Sequence, residues 1–320
     1  MIISYVSRLN RVKVFISTKA YGNMDFKYSL KEEVLKNREK FFEDINIPIN
    51  RIFFFRPNHS FKIEEVKKPL DPLEEISCDG MFNFYHQTGI ACPFGDCLPV
   101  IIYEERFRQI VGLIHAGRKN LKILEKSIKY LLDRNIRPNH INVLIGPSIR
   151  KESYLLDKEI IEKQLNEERD EFLKACFKKG LEEKNGLISL DLIKSAEMIF
   201  KSLEIPPENI KNLPFDTALN SFFFSHYKAA RNQEKEGRFL VVAYLSIYMG
   251  GEKVISIKRI KCDRCVKYIN IQQMQKEYQQ PKNSKNQVII ISHCPYCGRI
   301  LEVEIIAKNF KYFEILGKSG

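Results

Sequence analysis

The chain has 320 residues, 44% of them hydrophobic, and a formal net charge of +12. This length suits one large domain plus a small one, and the hydrophobic content is ordinary for a globular protein in water. No stretch approaches the roughly 18 apolar residues of a membrane span, and the N-terminus lacks a signal-peptide pattern, so we expect a cytoplasmic protein without a membrane partner.

The hydrophobic pattern predicts a mixture of strands and helices up to residue 250. The predicted strands, with 61–66 paired to 51–55, are 12–17, 51–55, 61–66, 90–92, 98–103, 109–114, 141–145, 221–225 and 238–248. The predicted helices are 31–42, 119–132, 158–177 and 190–203. Asp191 is expected near the N-terminus of the last helix. This mixture indicates an α/β (α+β) fold in which mixed sheets are packed by helices in a layered sandwich.

Gly250-Gly251 marks an expected boundary between a domain at 1–250 and a smaller one at 251–320. Within the smaller domain, strands are predicted at 254–260 and 288–292, separated by a polar loop. This tail carries 13 Lys and Arg and 6 Asp and Glu, so 13 − 6 gives it a net charge of +7. Such a charge is typical first of a solvated, lysine-rich surface, and attraction of a nucleic-acid or protein partner is the alternative.

Four of the eight cysteines form two C-x-x-C pairs in the tail, Cys262 with Cys265 and Cys294 with Cys297. Two such pairs are typical of a zinc ribbon, in which four thiolates close a tetrahedral structural Zn²⁺ site. Two redox pairs, or reduced thiols without metal, are the alternatives. Three further cysteines, Cys78, Cys92 and Cys176, are expected to be ordinary core or loop residues.

Cys97 and His115 each lie beside a glycine at the end of a predicted buried strand. Cys97 precedes the strand 98–103, and His115 follows the strand 109–114. A thiolate and an imidazole on adjacent strand ends can share one transition-metal ion. A third ligand from elsewhere in the chain would complete a catalytic rather than a structural site.

The order of several short motifs resembles that of the polyphenol oxidoreductase, or laccase-domain (YfiH-like), family. The motifs are Phe15-Ile16-Ser17-Thr18-Lys19, Lys36-Asn37-Arg38, Phe54-Phe55-Arg56-Pro57-Asn58-His59, Asp79-Gly80, Gly95-Asp96-Cys97-Leu98-Pro99-Val100, His115-Ala116-Gly117-Arg118-Lys119, Ile145-Gly146-Pro147-Ser148-Ile149, Ser153-Tyr154, Phe223-Phe224-Ser225 and Gly237-Arg238. The resemblance covers about the first 250 residues. Each motif alone is weak evidence for the family, but the occurrence of all of them in this order is specific to it.

The resemblance implies a zinc-dependent purine nucleoside phosphorylase that also has adenosine deaminase activity, with a nucleoside and phosphate as substrates. It assigns the catalytic Zn²⁺ to His59, Cys97 and His115, and we expect Asp96 to orient a ligand or a proton behind them. Three protein ligands leave a position open for water or substrate. The residues expected to contact phosphate or ribose are Lys19, Asn37, Arg38, Lys119 and Arg238.

This chain departs from the family pattern around the expected site. Lys19 and Lys119 stand where the family has Arg, Arg118 where it has Trp, and Asp216 where it has Cys. The family's Phe-Ser-x-Arg ends here in Lys228. Lysine keeps the charge of arginine but loses the bidentate geometry, so we expect phosphate binding to be weaker or differently arranged.

Three other functions remain open at this stage. The family's older name implies a copper-dependent oxidation of phenols, but a multicopper site needs many histidines and the chain has 6. A second alternative, also carried by the family, is a hydrolase that edits peptidoglycan precursors. The third is a non-enzymatic protein that binds a partner through its basic ribbon.

Overall fold

A computed structural model describes residues 2–66, 74–232 and 234–246, together with six strands between 259 and 317. The strands up to residue 246 are β1 (Ile2–Val6), β2 (Val12–Ser17), β3 (Ile52–Arg56), β4 (Ile63–Glu65), β5 (Glu75–Ser77), β6 (Gly80–Asn83), β7 (Thr88–Phe94), β8 (Leu98–Glu104), β9 (Ile110–Ala116), β10 (Asn142–Ile145), β11 (Leu155–Leu156), β12 (Leu181–Lys184), β13 (Leu187–Leu190), β14 (Ile210–Asn212) and β15 (Phe239–Leu245). The helices are α1 (Lys31–Asp44), α2 (Lys122–Leu132), α3 (Lys158–Glu167), α4 (Glu171–Lys179), α5 (Leu192–Ser202) and α6 (His226–Asn232). Single 3-10 turns lie at Lys19–Tyr21, Ile49–Arg51, Pro138–His140 and Pro207–Asn209.

Two six-stranded mixed sheets form the centre of the domain. The first has the order β1-β2-β15-β7-β3-β5, and the second has the order β14-β10-β8-β9-β6-β4. In the first, β3 is parallel to both β5 and β7; in the second, β4 is parallel to β6 and β10 to β14. A small third sheet, β11-β13-β12, lies in the connection between α2 and α5 along with α3 and α4.

The inner faces of the two large sheets pack against each other. Ile16 and Cys92 from the first sheet share one buried cluster with Ile101 and Leu113 from the second. Because strand side chains alternate between faces, the neighbours of these residues point outward to a second apolar layer.

Each outer face is covered by helices. On the second sheet, Val100 and Ile114 pack in one cluster with residues of α2, α4 and α5. On the first sheet, Phe54 and Val242 pack in another with Phe41 of α1. The layers therefore run helix, sheet, sheet, helix, which confirms the predicted layered sandwich of mixed sheets.

Three local predictions are wrong. The segment 158–177 forms two helices rather than one, because Asp170 caps α4 by accepting a hydrogen bond from the Leu173 backbone N–H at 3.2 Å. The segment 221–225 is a turn leading into α6 and not a strand. The strand within 61–66, β4, pairs with β6 in the second sheet rather than with 51–55 in the first.

The tail is described only as backbone strands: β16 (Arg259–Lys261), β17 (Tyr268–Asn270), β18 (Gln275–Glu277), β19 (Gln287–His293), β20 (Ile300–Ile306) and β21 (Glu314–Gly317). β16 pairs antiparallel with β17, and β18 to β21 form a four-stranded antiparallel sheet. The zinc-ribbon prediction falls on Cys262, Cys265, Cys294 and Cys297, which lie outside the described residues. In the part of the chain that the structure describes, none of the helices combines the length and the apolar character needed to cross a membrane.

Candidate metal centre and substrate site

The strand ends carrying Cys97 and His115 lie side by side. β8 and β9 are antiparallel, and Pro99 pairs with His115 and Leu98 with Ala116. The next pair along this register is Cys97 with Gly117. The Cys97 sulfur lies over this glycine so closely that a Cβ atom at Gly117 would come within 2.7 Å of Sγ. The glycine therefore makes the room in which the thiol sits.

His115 is buried at the end of the inter-sheet layer, with a neutral imidazole. Its ring stacks on Phe94 at a centroid distance of 5.2 Å, and its Nδ1 is buried with no hydrogen-bond partner. Burial, together with the neighbouring His59 and Arg238, lowers the pKa of His115 to about 3. A neutral imidazole with an unpartnered nitrogen has the protonation state that metal binding requires.

Asp79 holds the loop that carries His59. The loop follows β3, and the buried Asp79 carboxylate accepts hydrogen bonds from the backbone N–H groups of Asn58 at 3.0 Å, His59 at 2.8 Å and Phe61 at 2.7 Å. His59 and Phe61 have left-handed backbone angles, φ 57° and 58°. Such angles are unfavourable for residues other than glycine, so these three hydrogen bonds stabilise the conformation that presents His59.

The arrangement brings His59 and His115 together at this end of the sandwich. Their ring centroids are 5.8 Å apart. One ligand atom from each ring and one Asp79 oxygen all lie within 4.8 Å of one another, with Asp79 and His115 buried and His59 exposed. Among the described residues, the expected ligands His59 and His115 are thus grouped with Asp79, whereas Cys97 lies on the adjoining strand end.

The donor set fits a borderline transition metal. The two imidazoles suit Zn²⁺ or Cu²⁺, and both Asp79 oxygens already accept backbone hydrogen bonds. Burial, and to a smaller extent Asp96, raise the pKa of Cys97 to about 12, with Arg238 and Arg118 opposing the rise. The free thiol is therefore protonated at neutral pH, and it becomes a ligand only if an ion displaces its proton.

Asp96, expected to assist the metal ligands, fixes the surrounding loops. Its Oδ1 accepts a hydrogen bond from the Thr217 hydroxyl at 2.6 Å, and its Oδ2 accepts one from the Tyr227 backbone N–H at 2.7 Å. Its backbone is left-handed, with φ 100°. Asp96 thus joins the segment before Cys97 to the loop at 217 and to the first turn of α6.

Asp216 is the residue that stands where the family pattern has Cys. It accepts a hydrogen bond from the Ser153 hydroxyl at 2.6 Å, and burial raises its pKa.

Arg238, a predicted substrate contact, lies close enough to Cys97 and His115 to act on the pKa of both. Its side chain crosses Gly95, where a Cβ atom would come within 2.8 Å of Cδ. The guanidinium donates to the Tyr28 hydroxyl at 2.6 Å and to Glu236 at 3.1 Å. Lys19 is near the same segment, 3.8 Å from Glu234 and 5.5 Å from the Phe224 ring.

Two of the expected substrate contacts, Asn37 and Arg38, have partners within the fold. Arg38 is fully buried, donates to Glu75 at 2.6 Å and to the Met24 carbonyl at 2.7 Å, and its guanidinium lies between two aromatic rings, those of Phe26 and Phe54. Asn37 donates to the Asn23 carbonyl at 2.9 Å. The hydrogen bonds of both side chains therefore hold the segment 22–26 against α1.

The expected cation Lys119 is exposed, and the neighbouring Arg118 acts on the pKa of the Cys97 thiol. Sequence reasoning did not assign a role to Arg118 or to Asp79, although both are part of quoted motifs. The signal for Asp79 was its position directly before a glycine and a buried strand.

Two open depressions of about 330 and 320 Å³ lie away from this site. The first is at the opposite end of β8, around Glu104 and His140.

A helix-flanked pair of mixed sheets with an imidazole pair at one end defines a metal-binding α+β sandwich. The chain belongs to the multi-copper polyphenol oxidoreductase laccase family, whose model matches residues 12–246. This confirms the laccase-domain resemblance.

Relatives with curated names are purine nucleoside phosphorylases. The one from Campylobacter jejuni is 28% identical over 201 residues, which are 62% of this chain and 78% of that protein. Those from Mycobacterium bovis and Mycobacterium tuberculosis are 24% identical over 123 residues, 38% of this chain and 48% of theirs. The matched region thus spans about half the length of each mycobacterial protein.

Solved structures share the fold. YfiH from Bacillus licheniformis has a TM-score of 0.64 at 23% identity and covers 73% of this chain and 93% of its own. YlmD from Geobacillus stearothermophilus has a TM-score of 0.65 at 20% identity, covering 76% of this chain and 94% of its own.

Proposed function

We propose that this protein is a zinc-dependent purine nucleoside phosphorylase, with His59, Cys97 and His115 as the metal ligands. The observation that carries the proposal is the convergence of two imidazoles at the end of the sandwich where the strand after Cys97 begins, in a chain whose named relatives are purine nucleoside phosphorylases. A thiolate and two imidazoles favour zinc, and they leave a fourth position for substrate or water.

Asp79 is the positioning residue of this site rather than its third ligand. Its two oxygens are committed to three backbone N–H groups, and these hydrogen bonds fix His59 relative to β9. The Asp79 backbone carbonyl also accepts a hydrogen bond from the His115 backbone N–H at 2.8 Å. One residue therefore positions both histidines, which is the role that groups behind a metal ligand perform in other metal sites.

The same geometry suits phosphorolysis. A bound Zn²⁺ supplies Lewis acidity and lowers the pKa of a water ligand. In phosphorolysis a phosphate oxygen forms the new bond to the ribose C1′ while the bond from C1′ to the purine nitrogen breaks, and the electron pair leaves with the base. The nucleophile is an anion, so cationic side chains such as Arg238 and Lys19 orient it and offset its charge.

Deamination of adenosine is the second activity of the proposal, because it needs the same site with water in place of phosphate. The oxidation of phenols is less well supported: the grouped ligands of the described residues include two histidines, and the sequence has 6 in all. A phenol substrate assayed with added Cu²⁺ tests that alternative directly.

The experiment is nucleoside turnover by the purified full-length protein, with and without phosphate. We expect base release from adenosine or inosine only with phosphate, and ammonia release from adenosine without it. Cys97→Ala should abolish both activities and remove one zinc per chain. Cys176→Ala is the matched control, because this thiol is buried in the α4 layer, and it should keep both. Full activity in Cys97→Ala, or no nucleoside turnover by the zinc-loaded wild type, would refute the proposal.

A further inference from the structure

Arg118 is held beside the Cys97 thiol by neutral partners. It directly follows Gly117, over which the Cys97 sulfur lies. Gln164 of α3 accepts a hydrogen bond from Arg118 Nη1 and donates one to the Arg118 carbonyl at 2.7 Å. The Tyr154 side chain hydrogen-bonds the same guanidinium. Two separate elements thus fix the direction of this half-buried side chain.

The charge of Arg118 is unbalanced, unlike that of the other site cations. Arg238 is paired with Glu236 at 3.1 Å, and Lys19 is paired with Glu234 at 3.8 Å. Arg118 forms no ion pair with any carboxylate of the described residues, and its hydrogen-bond partners Gln164 and Tyr154 carry no charge at neutral pH. A guanidinium that is partly removed from water without a counter-ion attracts an anion to its remaining N–H donors.

Cys97 lies near both arginines. Arg118 directly follows Gly117, over which the Cys97 sulfur lies, and the Arg238 side chain crosses Gly95, two residues before Cys97. Both positive charges act on the thiol. An anion beside the thiol therefore meets two guanidinium groups, and Arg118 offers the one whose charge is uncompensated. The planar N–H fork of arginine matches the oxygen spacing of a phosphate group.

We propose that Arg118, together with Arg238, binds a tetrahedral phosphate group beside Cys97, and that it performs the role expected of Lys119. The phosphate is either the free inorganic ion or the monoester of a nucleotide. The inference rests on the proposed function for its catalytic meaning, because a phosphorylase needs phosphate at this place. The binding itself is independent of turnover.

The test is calorimetric titration of the full-length, zinc-loaded protein with inorganic phosphate and, separately, with adenosine 5′-monophosphate. Arg118→Gln removes the charge and should weaken the binding of the phosphate-bearing ligand by about tenfold or more, the effect of losing a charge-assisted hydrogen bond. Arg118→Lys should recover part of this affinity. Arg137→Gln is the matched control, since Arg137 is exposed and distant from the site, and it should bind as the wild type does.

The two phosphate sources give different results. Binding of inorganic phosphate that depends on Arg118 identifies the free ion, whereas Arg118-dependent binding of the nucleotide alone identifies a monoester. If Arg118 only clamps α3, Arg118→Gln lowers the melting temperature but leaves phosphate affinity unchanged, and the inference is overturned. It is also overturned if neither ligand binds the wild type. Arg118-dependent binding without any nucleoside turnover would reject the proposed phosphorylase and leave this inference standing.

Discussion

Asp79→Asn tests whether one buried carboxylate positions the metal-binding histidine. In the wild type, Oδ1 accepts from Asn58 and His59, and Oδ2 accepts from Phe61. The asparagine oxygen can serve the first two donors only if its NH₂ group faces the Phe61 N–H. One hydrogen bond is then lost, one buried donor faces another, and the remaining bonds lose their charge assistance.

The structure sets the size of the expected effect. We expect Asp79→Asn to lower the free energy of unfolding by about 2–4 kcal/mol, since a hydrogen bond to a charged group contributes about 1.5–3 kcal/mol and a buried unpaired donor costs about 1–3 kcal/mol. The left-handed backbone at His59 then loses its support. Zinc affinity should fall about 10- to 100-fold, as for other groups that orient metal ligands.

Urea unfolding and zinc competition against a chromophoric chelator measure the two effects of Asp79→Asn. Asp133→Asn is the control: it makes the same exchange at an exposed position after α2 and should change stability by less than about 0.5 kcal/mol. Wild-type zinc affinity in a folded Asp79→Asn protein would show that His59 does not depend on this carboxylate, and the positioning argument would fail.

Other predictions concern the buried ion pair, the helix cap and the second metal. Arg38→Met should lower the free energy of unfolding by about 3–5 kcal/mol, because it leaves the largely buried Glu75 carboxylate without its partner. Adding Glu75→Gln should recover part of this loss in urea unfolding, and no recovery would contradict the pairing. Asp170→Ala should cost about 1 kcal/mol by chemical denaturation, whereas Asp157→Ala, at a cap without a side-chain hydrogen bond, should cost less; equal losses would speak against capping. By mass spectrometry of metal content we expect two zinc ions per wild-type chain and one in Cys262→Ser with nucleoside turnover retained; an unchanged zinc content would argue against a zinc ribbon.

Much of the fold could be read from local patterns. The apolar runs at β8 and β9 are continuous because both strands are covered on two faces, and the spacing in α2 marks one apolar stripe. Asp191 accepts a hydrogen bond from the Lys194 backbone N–H at 2.9 Å and caps α5, as its position before an apolar helix indicates. These features depend on residues close together in the chain.

The errors arose where partners are distant in sequence. β4 was expected beside β3, its neighbour in the chain, but its apolar contacts place it in the other sheet next to β6. The structural partners of Arg38 were also not visible in the sequence, where the resemblance of its motif to the family predicts a substrate contact. Its pairing with Glu75 and its burial against Phe54 depend on how α1 packs on the first sheet. A sequence pattern does not state which face of a sheet a helix covers.

The sequence by itself determined that Cys97 and His115 end adjacent buried strands, since an antiparallel pair joined by a short connection places the start of one strand beside the end of the next. Only the tertiary structure decided that Asp79 fixes His59 next to them, that Arg38 belongs to the core, and that Arg118 acts on the thiol. The physical reason is that the positions of strands along the chain follow from short-range periodicity, whereas strand order, hydrogen bonds, burial and charge balance at the site come from segments that meet only when the two sheets pack.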